Sequence, residues 1–201
     1  MAERGRPRKF DRTEALRGAM RTFWELGYEG ASITDLAAAM GINSASVYNT
    51  FGSKEDLFRE AITLYVRDDG SAPYRVLLEA PTAREAIEGM LRGNLELFAE
   101  SGTPTGCMVV LSATNYSPRN QVVRDHVVDY RRNTVLDMEK RLRRAVDEGE
   151  LSASVDVGVV ASFYGTVLHG LSIEARDGVS PARLQSTVDM AMSLWGSFDR
   201  G

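Results

Sequence analysis

The stretch that decides the fold runs from Ser32 to Phe58, SITDLAAAMGINSASVYNTFGSKEDLF. It holds two short helical patterns on either side of Gly41-Ile42-Asn43 and ends in a Gly52-Ser53-Lys54 turn. Ser32 with Asp35 three residues on is a helix-start signal, and Ile33, Leu36, Ala37 and Met40 recur at helical spacing. Gly41 stops that helix, and a second begins near Ser44 with Val47 and Phe51 turned inward. Two short helices joined by a tight turn containing Gly form a helix-turn-helix, in which the first crosses the phosphate backbone and the second offers side chains to base edges. Ser44, Ala45 and Ser46 are small enough for close approach. Tyr48, Asn49 and Thr50 reach bases or phosphates, and Asn suits bidentate contact with adenine. A generic αα corner has the same outline, so the pattern alone leaves both readings open.

Outward from this stretch the chain reads as helices almost throughout. Upstream, Asp11 and Glu14 give a capping box, and Leu16, Ala19, Met20, Phe23 and Trp24 follow at helical spacing until Gly27. Downstream, Lys54 begins a helix running to Asp69-Gly70, whereas Ser71 to Pro81 reads as irregular. Thr82 opens another helix, which SGTPTG breaks. Cys107 to Ala113 is an apolar run assigned to a short buried helix because no partner strand exists elsewhere. Pro118 starts a long amphipathic helix ending at Gly149, and helices over Val155 to Arg176 and Pro181 to Phe198 close the chain. The fold class is all-α, without repeats.

Composition narrows the function. The chain has 201 residues with ordinary globular values, 43% hydrophobic and 26% charged. No apolar run or leader suggests a membrane partner, so a cytoplasmic protein is expected. One cysteine and two histidines offer neither a disulfide framework nor zinc spacing, so neither metal nor cofactor is expected. No nucleophile elbow or Gly-rich phosphate loop is present, and no catalytic residue is assigned. The net charge is −4, yet Met1 to Arg21 carries seven basic against three acidic residues, so that a +4 arm sits on a −8 body. Such an arm, through Arg4, Arg6 and Arg8, meets phosphates locally; it equally describes a solvated terminus.

The segment from Thr34 to Leu57, with DLAAAMGI and then SVYNTFGSKEDL, resembles the DNA-binding domain of TetR-family transcriptional regulators. The resemblance covers about the first third of the chain. It implies an N-terminal three-helix DNA-binding domain (1–55), a C-terminal helical ligand-binding and dimerisation domain (56–201), and a homodimer whose last two helices form a four-helix interface. It also implies a double-stranded operator and a small-molecule effector as partners, repression as the output, and effector binding that moves the fourth helix. By the same resemblance Thr34 contacts the DNA backbone, and Tyr48 and Lys54 contact phosphates. Thr50 departs from the His or Tyr common in the family, which puts one backbone contact in doubt. The alternative function is a helical protein-interaction module without sequence-specific DNA binding.

An effector pocket is expected among Met90, Leu91, Phe98, Cys107, Met108, Leu111, Tyr130, Phe163 and Tyr164, each of which has core packing as a second reading. The dimer face is expected at Gly158, Ala161, Gly165, Leu168 and Leu171 with Val188, Ala191, Met192 and Trp195; a fully internal helix pair fits the same residues. Cys107 follows a turn, where a helix N-terminus would favour its thiolate and a sensing role, as in a subset of TetR-like regulators; a buried inert thiol is the other reading. His126 is expected at the surface, and His169 in the core or across the dimer.

Overall fold

The computed structural model describes residues 11–100 and 103–198. Among them lie ten α-helices and no strand: α1 (Arg12–Gly30), α2 (Ile33–Met40), α3 (Ser44–Phe51), α4 (Lys54–Arg67), α5 (Ser71–Glu79), α6 (Ala83–Ala99), α7 (Met108–Leu111), α8 (Gln121–Asp147), α9 (Val157–Arg176) and α10 (Pro181–Ser193). The basic arm through Arg4, Arg6 and Arg8 lies outside the described residues.

Local chemistry sets most of the boundaries. Asp11 caps α1 by accepting from the Thr13 and Glu14 amides, without the reciprocal bond of a capping box. Full capping boxes open α2 (Ser32, Asp35), α4 (Ser53, Asp56) and α6 (Thr82, Glu85). The helical path of α1 breaks at Gly27 and ends at Gly30. Gly41 ends α2 in the left-handed region at φ 67°, which a side-chain-bearing residue adopts only with strain. The stretch expected to be irregular, 71–81, instead holds α5. Its Pro73 lies in the first turn, where the missing N–H has no intrahelical acceptor to lose.

Two apolar cores form. The first gathers α1 to α4 around Phe23, Trp24, Tyr28 and Phe58, with the ring of Phe58 edge-on to Phe23 at 5.1 Å and to Tyr28 at 5.2 Å. The second gathers α5, α6 and α8 to α10 around Ile87, Leu91, Leu142, Tyr164 and Trp195. Because α4 contributes Leu57, Phe58, Ala61, Ile62 and Tyr65 to the first core, that core runs past residue 55. Cys107 packs against both cores. The α1–α2 crossing requires a residue without a side chain at Gly18, where a Cβ would meet the Ala39 carbonyl oxygen at 2.4 Å. Contrary to the sequence reading, α9 is long and apolar enough to cross a membrane, but 44% of its apolar window is buried in the second core.

Candidate functional site

The helix-turn-helix is held from below and left open above. Val47 and Phe51 bury the inner face of α3, and the Arg12 guanidinium lies 4.5 Å from the Phe51 ring while pairing with Glu60 at 2.8 Å. That contact ties α3 to α1 and α4. Asn43 Oδ1 accepts from the Ser46 amide at 2.8 Å and fixes the N-terminus of α3. Ser32 donates to Asp35 at the start of α2, and these bonds hold the Asp35 carboxyl below its usual range. The outer face presents Ser44, Ala45, Tyr48 and Asn49 to solvent, with Ser46 and Thr50 half-buried beside them. Thr34 is exposed on the first turn of α2. Lys54 sits differently from a free surface lysine: its ammonium lies 4.4 Å from the Tyr28 ring, and burial lowers its pKa against an opposing pull from Glu29.

A cavity of about 370 Å³ opens between α4, α6, the α7 segment, α8 and α9. Of the residues expected to form a pocket, Met90, Cys107 and Tyr130 line it. Leu91, Phe98, Met108 and Tyr164 are buried in the cores, Leu111 is half-buried, and Phe163 is exposed on α9. Polar groups of the wall that the pocket expectation missed include Tyr65, Asn94, Arg131 and His169. Their signal is a polar side chain interrupting an apolar stripe, which becomes specific only when several helices converge. The Cys107 thiol is pushed up by burial, opposite to the shift expected at a helix N-terminus, with the Tyr65 hydroxyl opposing more weakly. The helix it precedes has only four residues, too few to carry a substantial dipole. His126 is half-buried rather than at the surface, and its Nε2 has no hydrogen-bond partner.

The α7 segment joins cavity to helix-turn-helix. Its Gly106 carbonyl accepts from Trp24 Nε1 at 2.8 Å, and its Ser112 carbonyl accepts from the Tyr28 amide at 2.7 Å. Arg176 of α9 donates to the carbonyls of Thr105, Trp24 and Glu25, so one side chain bonds both α1 and this segment. On the cavity side, the Cys107 amide donates to Ser172 Oγ at 2.8 Å and Arg131 to the Val109 carbonyl at 2.7 Å. A shift of α7 therefore pulls on α1.

The two histidines give a pH prediction. Burial first, then Arg59 at His126 and Arg131 at His169, lowers both pKa values below 6.5, although Asp129 and Glu55 pull His126 the other way. The unfolded chain takes up these protons first, so stability is intact above about pH 6.5 and falls as pH drops through the folded values. Thermal midpoints measured from about pH 7 to 5.5 should decline for the wild type and flatten in the double variant His126→Gln, His169→Gln. Equal slopes in the two proteins refute the assignment.

An open polar recognition helix on a packed three-helix base, joined to a larger helical unit, defines a helix-turn-helix class of DNA-binding regulator. The description "Bacterial regulatory proteins, tetR family" matches residues 15–61, and "Tetracyclin repressor-like, C-terminal domain" matches residues 83–191. The chain belongs to the TetR family of transcriptional regulators, not to an enzyme family. It is similar to the transcriptional repressor ComR of Escherichia coli, 30% identical over 194 residues covering 96% of this chain and 92% of that protein. It is likewise similar to the repressor AcnR of Corynebacterium glutamicum, 30% identical over 181 residues and 89% of each. Among solved structures, a cysteine-substituted form of the TetR-family regulator CifR, complexed with a 26-bp double-strand operator, is 43% identical with a TM-score of 0.89, covering 94% of this chain and 98% of that one.

Proposed function

We propose that the protein is a dimeric repressor that places two copies of α3 in successive major grooves of a near-palindromic operator and releases it when a small molecule fills the cavity. The observation that carries this reading is the α3 face of Ser44, Ala45, Tyr48 and Asn49, open to solvent in a fold shared with an operator-bound relative. Thr34 and Lys54 flank that face and fix its register on phosphates, and Tyr48, half exposed, reaches the same backbone.

The dimer face belongs to exposed apolar residues of α9 and α10. Val159, Phe163 and Ile173 lie along one side of α9, with Met190 on α10 and Leu194 just after its end. The residues expected at this face from sequence are engaged inside the protomer: Ala161, Gly165, Leu168, Leu171, Val188, Ala191, Met192 and Trp195 are buried, and Gly158 is half-buried. A Cβ at Gly165 would meet Val135 at 2.6 Å, which makes it a contact of α8 with α9. A repressor acting on genomic DNA would work in the cytoplasm.

Selection from a randomised duplex pool at near-physiological salt tests the reading. Enrichment of a near-palindrome with half-sites about one helical turn apart supports it; a folded dimer that enriches nothing, with or without small-molecule extracts, overturns it. On the selected operator, Lys54→Gln should weaken binding to all sequences alike and reduce the slope of log affinity against log salt by about one. An unchanged slope would mean that Lys54 serves only to pack on Tyr28.

A further inference from the structure

Among the described residues, one cation lining the cavity, Arg131, has no counter-ion. Arg131 enters from α8 and spends one donor on the Val109 carbonyl at 2.7 Å. Among the described residues, no carboxylate forms an ion pair with it; Arg124 nearby is repulsive, and the Cys107 thiol, kept protonated by burial, offers no counter-charge. The other charged groups of the wall cancel. Lys140 pairs with Asp137 at 2.7 Å, and Asp137 also accepts from the Tyr74 hydroxyl. The remaining lining is chiefly carbon, with Met90, Val110 and Leu168 opposite the guanidinium's helix.

We infer that the cavity takes an organic monocarboxylate, its carboxylate paired with Arg131 and its apolar body lying against Met90, Val110 and Leu168. This deepens the effector reading of the cavity and rests on it. Charge sets the class: a half-buried guanidinium lacking a partner is unfavourable, and an anion removes that penalty. One uncompensated cation matches one negative charge, whereas a phosphate dianion would leave a second charge desolvated and unmatched. An amine would face Arg131 directly. A neutral ligand would fill the volume and leave the guanidinium unpaired. The fork of Arg131 suits a planar carboxylate, and His169, kept neutral by burial and by Arg131, faces the same space without adding charge. At about 370 Å³ the cavity fits a small ligand.

The same contact supplies the coupling. A carboxylate held by the remaining donors of Arg131 acts on the same guanidinium that donates to the Val109 carbonyl, and the segment carrying Val109 is bonded to α1 through Ser112 and Tyr28. Binding therefore acts on α7 where it holds the DNA-binding unit.

Calorimetric titration of the full chain with two matched sets of probes tests the inference: benzoate, benzamide and benzylamine, and octanoate, octanamide and octylamine. In at least one set the carboxylate should bind ~tenfold or more tightly than its amide and amine. Arg131→Gln should erase that preference while leaving amide affinity unchanged, and Arg131→Lys should keep part of it. Should Arg131→Gln fail to fold, the wild-type preference and the Lys variant decide. Equal affinity for carboxylate and amide overturns the monocarboxylate and leaves the effector cavity standing. No binding by any probe overturns the monocarboxylate, and operator release by a neutral or cationic extract component would then show that the cavity still answers to a ligand.

Discussion

Trp24→Ala should be the most destabilising single change in the DNA-binding unit. The indole is 1% exposed, meets the Tyr65 ring edge-on at 4.8 Å, and donates from Nε1 to the Gly106 carbonyl. Truncating a buried tryptophan costs about 3–5 kcal/mol, and a carbonyl left without its donor adds about 1–3 kcal/mol. Against a total stability of about 5–15 kcal/mol, that is enough to unfold a large fraction of molecules at growth temperature. Trp24→Phe keeps most of the apolar volume and deletes the hydrogen bond, so its smaller loss isolates that bond. Urea unfolding followed by circular dichroism gives both values. A loss below about 1.5 kcal/mol for the alanine variant would mean that α1 and the α7 segment are not joined through this side chain.

The position of Trp24 also explains what the sequence could and could not reveal. Its place in a helical stripe was readable from Leu16, Ala19, Met20 and Phe23, because periodicity reports which residues turn inward. Its partner, Gly106, lies 82 residues away and belongs to an apolar run with no periodic mark of its own. The helix-turn-helix was legible for a local reason: Ser32, Asp35, Asn43, Ser53 and Gly41 act on backbone groups within one turn of themselves. The α5 helix was hidden because Ser, Pro and Gly around 70–73 signal a turn as readily as a helix start. On α9, apolar residues cover so much of the circumference that periodicity could not say which side faces α8 and which faces outward; Leu168 and Val159 look alike in sequence and differ completely in burial. The cavity was half legible, since Met90, Cys107 and Tyr130 lie on apolar stripes, whereas Arg131 and His169 gain meaning only when α8 and α9 converge.

Charging the outer side of α9 and α10 should have the largest effect on function. Val159 is 64% exposed and Met190 71%, and with Phe163, Ile173 and Leu194 they make up the apolar patch assigned to the second copy. In a two-fold interface each substitution appears twice, so Val159→Asp with Met190→Asp puts four carboxylates into one apolar patch. Burying an unpaired charge costs about 3–5 kcal/mol, more than the roughly 1.5–3 kcal/mol each apolar side chain contributes. Sedimentation should then report the mass of a single chain. Operator affinity should fall ~10³-fold or more toward the non-specific level, because one α3 reads only one half-site. Leu78→Asp on α5, whose leucine is 48% exposed, is the control and should leave both measurements unchanged. If the doubly charged protein remains a dimer with full operator affinity, the interface lies elsewhere. If it becomes monomeric yet binds as before, the two recognition helices do not act as a pair.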